Sequence, residues 1–301
     1  MVKFMKKRNN ILVVTIALLA VVCIIAGYKI TNSSEEKINI LCIGVDKQVG
    51  MGERDPQTNS VGQADALFLV TINPKEDKVD IVAIPRDTIV NVEMYNSNMQ
   101  YLGSREGQIC IQYAYADGMA KSCELTADRV EELFPTLLID AYVAININAI
   151  MEINDAVGGV EVVVDDAYTA FQMSVWQGTK VNLMGIDTMN YLRVRDCTET
   201  QSAYGRMDRI KTYINGFIPK AKEAIKSDPG MLVKLYRTLG ENMVTDLTID
   251  SAVSVVNGIV ELSFEDFNFH TLEGEVVISE EGYEEFYPNE QKIKEIIGII
   301  K

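Results

Sequence analysis

Apolar residues along this chain alternate between the spacing of strands and the spacing of helices. Apolar, β-branched runs of strand length occupy residues 38–45, 66–72, 79–84, 142–147, 160–164 and 267–272. Apolar positions at helical spacing occupy residues 125–138, 148–157, 205–226, 231–243 and 249–262. Because helices and strands are interleaved, we predict an α/β fold: a three-layer α/β/α domain with a mixed central sheet.

The first 28 residues have the pattern of a membrane anchor. Residues 11–28 are apolar except for Thr15, and four cations precede them within residues 1–10. Eighteen helical residues rise about 27 Å, close to the thickness of a bilayer's hydrocarbon core. Under the positive-inside rule, we predict a cytoplasmic tail (1–10), a transmembrane helix (11–28), a linker (29–37) and an extracytoplasmic domain (38–301), hence a single-pass protein of the cell membrane. A cleaved signal peptide is the less favoured alternative, since residues 26–29 lack a small-x-small cleavage site.

Two aspartates stand at strand boundaries on either side of a polar loop. Asp46 follows the first strand, Asp65 directly precedes the second, and residues 47–62 between them are rich in Gly, Asn, Gln and charge. Residues 73–77 have the turn chemistry of a hairpin to the third strand. If the first two strands are neighbours, both carboxylates lie at one end of the sheet, where they would suit Mg²⁺. The alternative is that Asp46 opens a turn and that Asp65 is a charged residue at the edge of the second strand.

Arginines cluster in three segments of an otherwise acidic chain. The formal charge of −15 gives a surface that repels nucleic acid and anionic headgroups. Arg86 and Asp87 follow Pro85, which ends the third strand and places both in a loop at a sheet end, where ligand sites gather. The other arginines are spaced to share a face, either in an extended segment (Arg193, Arg195) or at i, i+3 on a helix (Arg206, Arg209). If the segments converge, they would bind a pyrophosphate; otherwise they form a solvated basic face, with Arg86–Asp87 as a surface pair.

The cysteines and the single histidine do not indicate a metal site. Cys23 and Cys42 lie in apolar runs, no CxxC spacing occurs, and His270 lies in an alternating strand-like stretch. These features disfavour zinc and His-based triads. Cys110 and Cys123 could close a short disulfide in an oxidising exterior, which is a possibility that spacing alone leaves open.

A series of motifs in fixed order resembles the LytR-CpsA-Psr family. It covers nearly the whole chain after the anchor. Its members are residues 40–46 (ILCIGVD), Asp65, 84–88 (IPRDT), 113–115 (YAY), 155–160 (DAVGGV), 183–185 (LMG), 191–195 (YLRVR) and 205–209 with its two arginines.

The resemblance implies a transferase that moves a glycopolymer from a polyprenyl-pyrophosphate carrier to peptidoglycan and forms a phosphodiester. It implies that Asp46 and Asp65 hold Mg²⁺, and that either Asp46 or Asp87 is the base for the acceptor hydroxyl. The residues it implies for pyrophosphate binding are Arg86, which is also placed in the catalytic group, and Arg193, Arg195, Arg206 and Arg209.

Three positions depart from the family pattern. Gln63, Ala203 and Ile210 stand where the family usually has Arg, an acid and Gln. A catalytically weak member that binds polyprenyl-phosphate lipids or scaffolds envelope assembly is therefore the alternative function. A transcriptional role fits an acidic, extracytoplasmic domain badly.

Overall fold

The computed structural model describes residues 37–73, 75–76, 78–164, 176–193, 202–228, 230–248 and 267–301. The tail and anchor predicted for residues 1–28 and the helix predicted for 249–262 lie outside these ranges. Among the described residues, no helix is both long enough and apolar enough to cross a bilayer.

Twelve strands and seven α-helices lie in the described ranges. The strands are β1 (Ile38–Val45), β2 (Ala64–Asn73), β3 (Lys78–Ile84), β4 (Ile89–Tyr95), β5 (Tyr101–Gln108), β6 (Ala141–Asn146), β7 (Val160–Val163), β8 (Lys180–Leu183), β9 (Met243–Thr245), β10 (Phe267–Thr271), β11 (Gly274–Ile278) and β12 (Glu284–Pro288). The helices are α1 (Cys110–Ala114), α2 (Ala120–Leu133), α3 (Ile147–Ala156), α4 (Ile186–Arg193), α5 (Ser202–Ser227), α6 (Met231–Thr238) and α7 (Glu290–Ile300).

The central sheet has six strands in the order β10-β3-β2-β1-β6-β9. Strands β1, β2 and β3 are antiparallel neighbours, whereas β6 lies parallel to β1 and β10 lies parallel to β3. The mixed α/β fold and the hairpin between the second and third strands are therefore confirmed. The remaining described strands form three separate antiparallel pairs, β4–β5, β7–β8 and β11–β12.

Helices cover both faces of this sheet because β1 is apolar on both sides. Ile40 and Cys42 pack into one buried cluster with α3, α4, α5 and α6, and Leu41 and Ile43 pack into another with α1, α2 and α7. Alternate residues of a strand point to opposite faces. A fully apolar strand therefore needs a layer of helices on each side, as the predicted α/β/α arrangement requires.

Two predicted helices differ from the structure in extent, and the end of one of them is a strand. The helix predicted for 231–243 ends at Thr238, and Met243–Thr245 instead pairs with β6 at the sheet edge. The helix predicted for 125–138 is α2. It begins earlier because Asp117 accepts the N–H groups of Met119 and Ser122, and it ends at Leu133, two residues before Pro135.

The arginine segment that begins at Tyr191 is not extended where the structure describes it. Residues 191–193 form the last turn of α4, with Tyr191 and Leu192 both buried. Both side chains pack into the same core cluster, whereas successive side chains of a strand point to opposite faces of its sheet. The prediction that Arg193 and Arg195 share a strand face is therefore wrong for the helical part, and Arg195 lies outside the described residues.

The cysteines of the described part, Cys42, Cys110 and Cys123, are all free and buried. The disulfide considered for Cys110 and Cys123 does not form. Cys110 begins α1 beside the main chain of Arg86, whereas Cys123 lies within α2 in the core. His270 contacts Asp80 across the parallel β10–β3 pair, Nε2 to Oδ1 at 2.8 Å, which is a structural role.

Candidate functional site

Asp46 and Asp65 lie at the same end of the sheet because β1 and β2 run antiparallel. Gly44 pairs with Ala66 and Val45 with Ala64, so Asp65 is the extra residue of a β-bulge. The bulge turns Ala64 and Ala66 toward opposite faces, into different core clusters. Asp65 is 1% exposed and Asp46 is half-buried just beyond the strand.

The residue between these strand ends is Gln63, whose carbonyl joins both aspartates. It accepts the N–H of Asp46 at 3.1 Å and the N–H of Asp65 at 2.9 Å. The two acidic residues are thus held by one peptide carbonyl, although they are 19 positions apart along the chain. A one-residue displacement of either strand would separate them.

Arg86 lies in the turn that follows β3 and contacts two carboxylates. Thr88 closes the turn, with its N–H and hydroxyl both donating to the Pro85 carbonyl at 3.1 and 2.6 Å. The Arg86 Nη1 atom forms an ion pair with Asp65 Oδ1, and Nε lies 3.3 Å from Asp87 Oδ1. The alternative of a simple surface pair between Arg86 and Asp87 is therefore wrong, because the guanidinium also bridges to a buried aspartate.

Asp87 is held by residues from two hairpins, β4–β5 and β11–β12, that the pattern of apolar residues does not predict. Gln108 Nε2 at the end of β5 donates to Asp87 Oδ1 at 2.9 Å and to the Glu284 carbonyl at 2.7 Å. The N–H of Phe286 on β12 donates to the Asp87 carbonyl at 2.9 Å. Burial raises the pKa of Asp87, Arg86 opposes this effect and Glu284 adds to it. The carboxylate therefore accepts a proton more readily than an exposed aspartate does.

Cys110 lies beneath Arg86 and is inert as a nucleophile. Its N–H donates to the Arg86 carbonyl at 3.1 Å. Burial raises the pKa of Cys110 to about 12, against the opposing effect of Arg86, so the thiol stays protonated. Burial lowers the pKa of Arg86, but Cys110, Asp65 and Asp87 outweigh it and the net pKa is raised, so the guanidinium stays charged.

Lys47 organises the loop that follows Asp46. This lysine is 3% exposed, and its Nζ donates to the carbonyls of Met51 at 2.8 Å and Glu53 at 2.5 Å. Burial lowers its pKa. Asn146 also donates to the Val49 carbonyl at 2.9 Å. The loop was predicted from its polarity, but polarity also made Lys47 look exposed, and only its hydrogen bonds reveal its role.

The helical arginines are only partly described. Arg193 is the last residue of α4, and Arg206 and Arg209 lie on α5. Arg209 is 3% exposed; the side chains of Arg193 and Arg206, and all of Arg195, lie outside the described part of the chain. The convergence of these arginines with Arg86 stays a prediction.

A buried polar network connects the two arginine-bearing helices. The Tyr213 hydroxyl on α5 donates to Asn154 Oδ1 at 2.7 Å, and Asn154 Nδ2 donates to the Leu183 carbonyl at 2.9 Å. Asp155 Oδ1 accepts the N–H of Gly185, which directly precedes α4, at 2.8 Å. The network fixes α4 and α5 relative to α3.

The carboxylates fit a magnesium ion by their chemistry. No cluster of three or more His, Cys, Asp or Glu side chains occurs within the described ranges. Mg²⁺ does not need one, since it is usually bound by one or two carboxylates plus water and phosphate. Asp46 and Asp65, at one end of the sheet, are two carboxylates of that kind.

Residues 22–301 match the model of the LytR_cpsA_psr family. A polyisoprenyl-teichoic acid–peptidoglycan teichoic acid transferase, TagU of Oceanobacillus iheyensis, is 30% identical over 219 residues, which are 72% of this chain and 61% of that relative. The chain therefore spans less than two thirds of that relative's length.

Two solved structures share the fold. The protein gbs0355 of Streptococcus agalactiae has a TM-score of 0.69 at 21% identity, covering 91% of this chain and 89% of that one. TagT bound to LIIa-WTA has a TM-score of 0.64 at 23% identity, covering 88% of this chain and 90% of that one.

Proposed function

This chain belongs to the LytR_cpsA_psr family, and from that premise we propose that it transfers a glycopolymer from a polyprenyl-pyrophosphate carrier to peptidoglycan. One observation carries the proposal: Arg86 bridges Asp65 and Asp87 at the sheet end where Asp46 also lies. The name of the TagU relative, a teichoic acid transferase, supports the reaction class.

Charge neutralisation is the main task of such a site, because a pyrophosphate carries negative charge through the transition state. Arg86 donates a planar fork of N–H groups to phosphate oxygens. Asp46 and Asp65 would hold Mg²⁺, which when bound supplies further positive charge at the phosphate. We assign Arg193, Arg195, Arg206 and Arg209 to the rest of the pyrophosphate, as the family resemblance implies.

The acceptor hydroxyl needs a base, and Asp87 suits that role better than Asp46. Its raised pKa strengthens it as a proton acceptor, and Gln108 and the β12 main chain hold it in place. The acceptor oxygen forms a bond to the sugar-linked phosphorus, and the P–O bond to the second phosphate breaks. Asp87 takes the hydroxyl proton, and polyprenyl phosphate leaves.

The test is turnover of a polyprenyl-pyrophosphate-linked glycan by the full chain, with peptidoglycan as acceptor and the phosphodiester product measured. We expect Arg86→Ala to lower the rate by two to three decades, about 2.7–4 kcal/mol of lost transition-state stabilisation. Arg105→Ala is the matched control: this exposed arginine bonds the Tyr115 hydroxyl and should leave the rate unchanged. Equal rates in both variants, or no turnover where a TagU relative is active, would contradict the proposal.

A weak, lipid-binding member is the second candidate, favoured by the identity of residue 63. Gln63 is half-buried between Asp46 and Asp65, where the family pattern has a cation. This candidate predicts that the wild-type chain binds polyprenyl phosphate without turnover and that Gln63→Arg gains turnover. Absence of any gain in that variant would weigh against it.

A further inference from the structure

Among the strands that the structure describes, β11 lies at the edge of its sheet. It pairs with β12 on one side, and no other described strand lies on its second side. All five of its residues are exposed, and the apolar side chains of Val276 and Ile278 are 61% and 62% exposed. Soluble proteins usually protect such an edge with Lys, Pro or a bulge, none of which occurs within β11.

The hydrogen bonds of the hairpin reveal which groups face outward. At its tip the N–H of Ser279 donates to the Tyr283 carbonyl, and at its base the N–H of Asn289 donates to the Glu273 carbonyl, both at 2.9 Å. In an antiparallel pair, hydrogen-bonded and non-hydrogen-bonded positions alternate. The odd-numbered residues from 273 to 279 therefore bond to β12.

Gly274, Val276 and Ile278 are the residues between them. Their N–H and C=O groups point to the open side, away from β12. The outward N–H and C=O groups of these three residues can hydrogen-bond to an added strand. The exposed side chains of Val276 and Ile278 supply apolar contact area beside them. The geometry therefore fits an extended peptide backbone.

The charge around the edge selects the kind of peptide. Residues 273–290 contain no Lys, Arg or His, and their acidic residues are Glu273, Glu275, Glu280, Glu281, Glu284, Glu285 and Glu290. Pairing with β11 of a second copy would bring like charges together, which is unfavourable. A segment that carries Lys or Arg complements this surface.

A cavity at the base of the hairpin fits a cationic side chain. It has a volume of about 530 Å³, and its lining includes Glu275 and Tyr287, which are cross-strand partners, together with Glu273 and Lys292. Lys292 is paired with Glu273 and Glu295, so its charge is already balanced. A carboxylate beside an aromatic ring attracts an ammonium or guanidinium group.

We propose that β11 is a docking edge for an extended, Lys- or Arg-bearing segment of another polypeptide, which adds to the hairpin as a third strand. The hairpin is directly connected to the candidate site: Gln108 donates to both Asp87 and the Glu284 carbonyl, and Phe286 donates to the Asp87 carbonyl. The partner therefore docks one strand away from the residues that hold Asp87.

The test uses the full chain and a fluorescent peptide of about seven alternating lysine and valine residues, with affinity measured by anisotropy. We expect the peptide to bind at least about tenfold more tightly than its glutamate–valine counterpart. Val276→Pro removes an outward N–H that β12 does not use and should weaken binding about tenfold or more. Val276→Thr keeps the N–H and the β-branched shape, and should bind like the wild type.

A second measurement does not depend on how Val276→Pro folds. The same lysine–valine peptide, N-methylated at alternate residues, keeps its charge but loses the donors of a strand, and wild-type protein should bind it about tenfold more weakly. Equal affinity for the methylated peptide, or for the glutamate–valine peptide, would overturn the proposal. So would concentration-dependent dimerisation that Val276→Pro abolishes, because the occupant would then be a second copy.

Discussion

The ion pair between Asp65 and Arg86 is far more buried than the pair between Lys121 and Glu124. The Asp65 side chain is 1% exposed and that of Arg86 is 17% exposed, whereas Lys121 and Glu124 pair on the surface of α2. Ion pairs at exposed positions contribute little to stability, but loss of one partner of a buried pair leaves an uncompensated charge. The two pairs should therefore respond very differently to neutralisation.

We expect Asp65→Asn to lower the free energy of unfolding by about 3 kcal/mol, as measured by urea denaturation. Glu124→Gln is the matched control and should change it by less than about 0.5 kcal/mol. A change in the free energy of unfolding that is equally small in both variants would contradict this prediction. It would mean that Arg86 pairs with another group or is solvated by water when Asp65 is neutral.

Asp87 should make stability depend on pH. Burial raises its pKa above the ordinary value of 3.8, so the folded protein keeps a proton that the unfolded chain releases. The stability from this group is fully present below pH 3.8 and is lost as pH rises through the folded pKa. Asp87→Asn removes this dependence.

The free energy of unfolding of Asp87→Asn, relative to wild type, should therefore increase between about pH 4 and about pH 7. Urea denaturation at several pH values checks this, with Glu124→Gln, on the exposed α2 surface, as the control. A relative stability that falls with pH would show that the pairing of Asp87 with Arg86 outweighs its burial.

At the scale of elements, the turn from α3 to β7 depends on two successive glycines in unequal surroundings. Gly158 and Gly159 both have positive φ, +82° and +81°. A Cβ at Gly158 would meet nothing within 4 Å, but a Cβ at Gly159 would lie 2.6 Å from the Leu183 carbonyl oxygen and would also clash with Met184 Sδ. The same carbonyl accepts the Asn154 side chain, so it is not free to move away.

Gly158→Ala should cost about 1–2 kcal/mol, from the left-handed backbone alone. Gly159→Ala should cost about 1–3 kcal/mol more, because overpacking is added to the same strain. Thermal or urea unfolding of the two variants side by side measures the difference. Equal losses would show that β8 shifts without cost.

Some of the other elements are determined by residues close in the chain, and others by contacts with distant segments. Strand β1 was predicted at 38–45 and has those bounds, and Pro85 ends β3 as expected, because apolar runs and breakers act within a few residues. Strand β9 and the last turn of α4 were mispredicted, because β9 exists through its pairing with β6 and α4 through the packing of Tyr191 and Leu192.

At the scale of the whole molecule, the N-terminal pattern and the acidic charge lead to a proposal about topology. We propose that residues 38–301 lie outside the cytoplasmic membrane, behind an anchor at residues 11–28. Protease added to intact protoplasts should then digest the domain, while a tag placed before Met1 stays protected until lysis. Protection of the domain in intact cells would contradict this topology, and a fragment lacking residues 1–28 would indicate a cleaved signal peptide instead.

What the sequence by itself determined is the alternation of elements, the bounds of β1, the end of β3 before Pro85, the polar loop after Asp46 and the ordered motifs of the family. Each depends on residue type and on neighbours close in the chain, which is the range over which periodicity and turn chemistry act.

Only the tertiary structure decided how the site is assembled. The bulge at Asp65, the bridge from Arg86 to two carboxylates, the reach of Gln108 to Asp87 and the burial of Lys47 all join groups whose positions depend on strand register or on packing of distant segments. No spacing rule encodes them, because charge and polarity favour an exposed position for each of these residues until a specific partner offsets the cost of its burial.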